Sequence, residues 1–263
     1  MEDIRPVRVL QLSGSDVDVN AEFAGEVRAR VQSQLAFRVG GKIVSRKVDV
    51  GTQVKRGQVL MQLDPLDLQL SQAQAMAALR SAETSRDLAQ ADVRRYRELR
   101  AKNFVSQAVL DEKESNLSAA QSSVQAQQAL YRGQSNQAAY AVLTSDVDGV
   151  VTQVDAEAGQ VVAPGTPVVQ VAKAGEKEIV IGLPEDKVDT LRRIADVRVR
   201  LWADPGRSVA GKIREISPVA DPATRTYTAR VTIPDSLADA KLGMTAVVQF
   251  ASRTATPQIK VPL

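Results

Sequence analysis

The chain of 263 residues has no cysteine and no histidine. Without cysteine there are no disulfides, no thiol nucleophile and no thiolate zinc site. The redox compartment stays open, because a cysteine-free chain is at home in either. Without histidine the commonest general base and metal ligand near neutral pH is missing, so a Ser-His triad is excluded, although carboxylate pairs are not. Aromatic residues make up 3%, too few for base-stacking platforms or large aromatic-lined pockets. A net charge of +3 is too weak to argue for nucleic acid. No run of about 18 apolar residues occurs, so no segment reads as a spanning helix. The opening "MEDIRPVRVLQL" lacks the basic-then-apolar pattern of an export signal. The protein is therefore either cytoplasmic or read from a point after a removed signal.

What is present is a repeat. The stretch "VDVGTQVKRGQVLMQLD" (48–64) returns as "AEAGQVVAPGTPVVQVA" (156–172). At one fixed offset Gly41, Gly51, Val54, Gly57 and Gln62 meet Gly149, Gly159, Val162, Gly165 and Gln170. The flanks are rich in valine, glycine and proline in alternating patterns, which read as short strands and turns. Gly51, Gly57, Gly159 and Gly165 suit turns that need positive φ.

Between the copies the composition changes. After Pro65 the segment to Tyr140 has no proline and one glycine, Gly133, with Ala, Gln, Leu, Arg, Ser and Glu dominating. These are mostly good or neutral helix residues. Ala75, Ala82, Ala89 and Tyr96 repeat every seven residues, with Leu79 and Val93 at the complementary position. After a break at "AKNFVSQ" (101–107), Leu110, Leu117, Val124 and Tyr131 repeat likewise. Such seams predict a coiled coil folded into an antiparallel hairpin. Asn103 tolerates a left-handed helix end, and Ser106 is a candidate N-cap. Asp111, Glu112 and Glu114 then crowd the first turns of the second helix, where the dipole favours acids. The two copies read as halves of one β-unit interrupted by the hairpin.

After residue 172, strands are expected at 178–183, 197–202, 209–216, 226–233 and 244–250, with a short helix at 184–193 begun by Pro184. They suggest a small antiparallel barrel. The alternating segment 17–31 supplies another strand.

At this point the chain resembles the periplasmic adaptor subunits, or membrane fusion proteins, of tripartite efflux pumps. The split halves resemble lipoyl or biotinyl carrier domains. The pieces "ISPVADPATRTYTARV" and "LGMTAVVQF" resemble the adaptor barrel, most closely in adaptors of resistance-nodulation-division (RND) pumps. The resemblance implies an elongated mixed β and α fold: a split lipoyl-like β-sandwich (36–64 and 141–173), an inserted antiparallel α-helical coiled-coil hairpin (65–140) and a β-barrel (13–35 and 174–253). Only 1–12 and 254–263 remain for a membrane-proximal domain, which is largely absent. The lipoyl-like turns fall on Gly41, Gly51, Gly57, Gly149, Gly159 and Gly165. The family's Arg, Leu and Ser for docking on an outer-membrane channel fall on Arg95, Leu99 and Ser106 in "RYRELRAKNFVS". The sequence departs from the family at "LTSDVDG", where Ser145-Asp146 replaces the usual Ala-Pro. Implied partners are an inner-membrane RND transporter, an outer-membrane channel and further copies in a ring, in the periplasm. Contact with the membrane is indirect, and no nucleic acid, metal or cofactor is implied. Two paired connections, near 37–39 and 172–178, form a hinge, with Gly175 inside the second.

Four rival readings stand beside this one, of which a metal adaptor fails because Met1, Met61, Met76 and Met244 are scattered along the chain, as core fillers are, whereas a thioether site needs them clustered. An adaptor of an ATP-driven ABC exporter or type I secretion system shares the architecture and stays open. A carrier protein needs a lysine in the turn joining the halves, but no lysine occurs between Gly57 and Ala101 or between Glu114 and Ala172. A hydrolase finds no nucleophile elbow or phosphate loop, and Glu185 with Asp186 reads as a helix start. The expectation is therefore a protein that is not an enzyme.

Overall fold

A computed structural model describes residues 15–191, 196–234 and 240–258. In chain order the first strands are β1 (Ser15–Ala29), β2 (Gln32–Ala36), β3 (Gly41–Arg46), β4 (Gln53–Val54) and β5 (Val59–Leu63). Helices α1 (Leu66–Ala101) and α2 (Gln107–Ala139) follow, then β6 (Val142–Thr144), β7 (Gly149–Val154), β8 (Val161–Val162) and β9 (Pro167–Lys173). The rest comprises β10 (Lys177–Pro184), α3 (Glu185–Leu191), β11 (Asp196–Leu201), β12 (Asp204–Ala220), β13 (Thr226–Thr232) and β14 (Thr245–Gln258). The chain forms two compact units, Ser33–Ala172 and the flanking segments.

The repeat folds as one sandwich of two four-stranded sheets, ordered β2-β9-β7-β4 and β6-β5-β3-β8. Each sheet takes two strands from each copy. An offset of 108 residues turns one sheet into the other, and the hydrogen bonds obey it. Gly51 N–H donates to the Val151 carbonyl at 2.8 Å, while Gly159 N–H donates to that of Ile43 at 2.7 Å. Gly57 N–H donates to the Ser145 carbonyl at 2.7 Å, while Gly165 N–H donates to that of Phe37 at 2.9 Å. All four glycines have positive φ, between 80° and 96°. The buried core repeats as well: Leu35, Ile43, Val54, Leu60 and Leu63 answer Leu143, Val151, Val162, Val168 and Val171. Phe37 is answered by Ser145, whose buried hydroxyl donates to the Val147 carbonyl at 2.7 Å.

Gly41 and Gly149 depart from expectation. They open strands β3 and β7 rather than lie in turns. A Cβ at Gly149 would sit 2.1 Å from the Ala172 carbonyl oxygen, so close backbone approach is what excludes a side chain there. Residues 32–36 were assigned mostly to the barrel, yet β2 pairs in the sandwich, because Leu35 and Phe37 bury there.

The helical pair leaves β5 and returns to β6, with its ends closed by Leu63 N–H donating to the Ala141 carbonyl at 2.8 Å. Gln72 Nε2 donates to Ser135 Oγ at 3.2 Å, and Arg97 pairs with Glu114 at 2.7 Å, so the helices run antiparallel in register. Each arm is roughly 50 Å long at 1.5 Å per residue. Leu79, Val93 and Leu110 are its buried side chains, along a seam too narrow for a bundle core. Among the described residues no helix is long and apolar enough to cross a membrane.

In the other unit β1-β10-β13-β12-β11-β14 close a barrel around Val27, Ile179, Ile181, Leu183, Val199, Val231, Val248 and Phe250. Strands β12 and β14 outrun expectation. Pro205, Gly206 and Pro218 read as breakers, but they sit inside register shifts of the ladder, where a missing N–H is tolerated. Pro184 ends β10, paired with Thr226, and does not begin α3. Residues 254–258 extend β14, Gln258 pairing with Ser15, and so are not a separate remnant. The segments 1–14 and 259–263 lie outside the described residues, and so does the end of the expected helix at 192–193. The expected paired connection is displaced: Arg30 N–H donates to Glu176 and Lys173 N–H to Val31, each at 3.0 Å, whereas Phe37 pairs with Gly165. Gly175, with φ 106°, turns the chain between β9 and β10.

Candidate functional site

The turn between α1 and α2 concentrates exposed, chemically distinct side chains. Helix α1 ends through a paired cap: Phe104 N–H donates to the Leu99 carbonyl and Asn103 N–H to that of Arg100, both at 2.9 Å. Asn103 takes the left-handed position at φ 56° that glycine usually fills. Ser106 starts α2, and its hydroxyl accepts from Val109 N–H at 3.4 Å.

Arg95 is 66% exposed, with Nη1 at 3.5 Å from Asp92 Oδ1. Leu99, one helical turn later on the same face, is half-buried. Ser106 is exposed apart from its capping bond. The three positions expected for docking thus lie on either side of the turn, Arg95 and Leu99 near the end of α1 and Ser106 at the start of α2. The first turn of α2 holds no acid, and the expected Asp111, Glu112 and Glu114 stand in the second. Its acids lie a turn later and pair instead: Glu114 accepts from Arg97, and Asp111 accepts from Gln107 Nε2 at 2.8 Å. Arg100 donates to Asn103 Oδ1 at 3.1 Å. The side chains of Arg94 and Lys102 make no ion pair or hydrogen bond among the described residues.

Sequence reasoning missed Phe104, which is 74% exposed at the tip. The available signal was its position directly after an asparagine helix stop. An apolar residue there commonly packs back on the last turn, but here most of the ring faces water.

The halves meet where a carrier domain would bear its lysine. Here the junction leads into α1 instead, and the nearest lysines along the hairpin are at its far end. Lys113 Nζ lies 5.4 Å from the centre of the Tyr96 ring and 3.7 Å from Glu112. Among the described residues no group of three or more His, Cys, Asp or Glu is placed to hold a metal ion.

A split sandwich, an inserted helical pair and an antiparallel barrel define the membrane fusion protein class. Comparison with known families agrees. The model described as "RND MFP, barrel-sandwich hybrid domain" matches residues 24–173, and "CusB-like, beta-barrel domain" matches 179–254. The chain belongs to the RND membrane fusion protein family. It is 26% identical over 190 residues to multidrug resistance protein MdtA of Yersinia pestis (strain Pestoides F), covering 72% of this chain and 43% of that protein. It is 24% identical over 229 residues to MdtA of Photorhabdus laumondii, covering 84% and 57%. The chain thus spans about half the length of these relatives. The crystal structure of MacA from Actinobacillus actinomycetemcomitans is similar in fold, with a TM-score of 0.69 at 18% identity, covering 94% of this chain and 83% of that one.

Proposed function

We propose that this chain is the assembly part of a periplasmic adaptor, linking an inner-membrane RND transporter to an outer-membrane channel for export of small molecules. It works without catalysis and packs with further copies in a ring. In this reading the helical pair (65–140) is a coiled-coil hairpin that reaches the channel, the sandwich (36–64 and 141–173) is its rigid root and the barrel (13–35 and 174–253) faces the transporter. Contact with the membrane is indirect, and Gly175 supplies freedom to the connection. The observation that carries the reading is the exposed tip on a helical pair closed at its base by the Leu63–Ala141 bond. Arg95 and Leu99 share the contact face, Ser106 holds the turn, and Phe104 with Arg94 and Lys102 adds an apolar anchor ringed by cations. Such a surface fits an apolar notch lined by carboxylates or helix-end carbonyls.

The test uses cells in which the chain supports drug resistance. Arg95→Asp places like charges together, and Phe104→Ala removes the anchor. Each should cut cross-linking of the tip to the channel roughly tenfold or more. Resistance should fall with it, while the purified variants keep the parental thermal transition. Unchanged cross-linking and resistance in both would remove the tip from docking.

A further inference from the structure

The turn from β11 to β12 carries a recess that the docking role of the helical pair leaves unused. Arg200, Leu201, Trp202, Pro205 and Val247 line a cavity of about 310 Å³. Trp202 is the single tryptophan of the chain, and it is 73% exposed. Its backbone is fixed, because Trp202 N–H donates to the Thr245 carbonyl at 3.0 Å. One exposed aromatic ring would mean nothing by itself. The surroundings give it meaning. Val199 and Leu201 belong to the barrel core, so Arg200 between them faces outward. Ala246 and Val248 belong to the core as well, which leaves Val247 outside and yet only 8% exposed. The apolar wall of the recess is thus already sheltered by its neighbours.

Arg200 is half-buried, and its guanidinium makes no ion pair or hydrogen bond among the described residues. Its cross-strand neighbours, Ser208 on β12 and Val247 on β14, are uncharged. Other arginines of the barrel are engaged: Arg198 lies 3.6 Å from Asp196, and Arg214 and Arg230 hold Glu178. Asp204, the acid of this turn, does not line the recess, and its Oδ1 lies 3.9 Å from where a Cβ on Gly206 would stand. The Trp202 indole N–H also has no acceptor among the described residues. The lining side chains therefore offer donors and an apolar wall, but no acceptor. We infer that the recess binds a small aromatic anion, one or two flat rings carrying a carboxylate. The ring lies against the Trp202 indole and Val247, and the carboxylate meets Arg200. A guanidinium and a carboxylate match as a two-pronged pair. An indole favours a flat ring, stacked or edge-on. Arg200 repels a cation, and a saturated anion forfeits the ring contact. The cavity of about 310 Å³ is at the small end of ligand sites, roughly 300–1,000 Å³, which suits a bicyclic compound and excludes a polymer. The site adds a ligand to a chain otherwise read as a link, and it does not depend on the docking proposal.

The single tryptophan makes the site its own reporter. In a proton–nitrogen correlation spectrum the full chain gives one indole N–H resonance. Naphthoate should shift it in a saturable way, and calorimetry should return one site per chain. Naphthamide, which keeps the ring and loses the charge, should bind roughly tenfold more weakly or worse. Naphthylmethylammonium, with the charge reversed, should not bind, and hexanoate should be weak for want of a ring. Arg200→Gln should weaken naphthoate roughly tenfold and bring it level with naphthamide. Trp202→Ala should abolish saturable binding in calorimetry. Both side chains face outward, so the thermal transition should hold in each variant, and the probe series on the unaltered chain needs no variant at all. Equal affinity for naphthoate, naphthamide and the ammonium compound would overturn recognition of the charge. Naphthoate that binds without moving the indole resonance, or that keeps its affinity in Trp202→Ala, would overturn the site. The absence of any saturable shift would overturn the proposal outright. So would a shift caused by phosphatidylglycerol vesicles and by none of the free carboxylates, which would assign the recess to an anionic membrane surface.

Discussion

Gly51 and Gly149 are both glycines the sandwich needs, but for unlike reasons, and substitution separates them. At Gly51 the backbone is left-handed, φ 88°, and a Cβ would meet nothing within 4 Å. Gly51→Ala should cost about 1–2 kcal/mol from backbone conformation alone. At Gly149 a Cβ would press on a backbone oxygen that cannot rotate away. Gly149→Ala should cost about 3 kcal/mol or more, the upper end of overpacking. Urea midpoints at constant slope will measure both, and equal losses would refute the distinction. The four turn glycines were legible in the sequence because left-handed turns are a local demand. The reason for Gly149 was not, because the obstructing oxygen belongs to residue 172. Asp221 offers a second residue-scale check. N–H groups of Thr224 and Ala223 donate to its carboxylate and hold its pKa below the usual value. A depressed folded pKa gives stability that is present above the unfolded pKa and is lost as pH falls through the folded one. Asp221→Asn should therefore differ most from the parent near neutral pH and converge on it below about pH 4. A difference that grows with acid would contradict this.

Among the elements, β10 carries the polar cost of the barrel. Glu178 is 1% exposed and is clamped by two arginines, Arg230 from the adjacent strand β13 and Arg214 from β12 beyond it. Arg214 reaches Oε2 at 2.8 Å and Arg230 reaches Oε1 at 2.7 Å. The arginines keep 29% and 40% exposure, so they can turn to water if the acid is removed. The acid cannot. Replacing both arginines with Met should thus destabilise the barrel by about 3–5 kcal/mol, the cost of an unpaired buried charge. Glu178→Gln, which keeps an acceptor, should cost about 1–3 kcal/mol. Chemical denaturation of the full chain will rank them, and the reverse order would show that the arginines, not the acid, carry the burden. None of this was legible in "EKEIVIGL", because strand alternation puts Glu178 on the outer face, where acids are ordinary. The helices were more legible: seven-residue repetition survives without tertiary information, and the buried Leu79, Val93 and Leu110 all lay on the expected seams. The lengths of β12 and β14 were hidden by prolines that mark bulges rather than ends.

For the whole molecule, the sheet order explains how a domain tolerates an insertion of about 75 residues. Each sheet draws strands from both copies, so neither copy can complete a sheet alone. The hairpin enters and leaves through residues already joined by the 2.8 Å bond from Leu63 to Ala141, so removing it opens no gap. A chain in which residues 66–139 are replaced by a short Gly-Ser linker should therefore keep the sandwich and the barrel. The helical signal in circular dichroism should drop, while protection of β3, β5, β7 and β9 amides in hydrogen exchange persists. Loop-closure entropy even favours the shorter connection, though only by about 1–2 kcal/mol. The first copy expressed alone, ending at residue 64, should show no protected amides. Adding the second copy in trans, residues 141–173, should restore them if chain ends are supplied at high concentration. Under the proposed function the shortened chain should support no efflux, since nothing remains to reach the channel. Loss of amide protection in the shortened chain would mean that the helices hold the halves together, and that the reciprocal glycine bonds do not suffice.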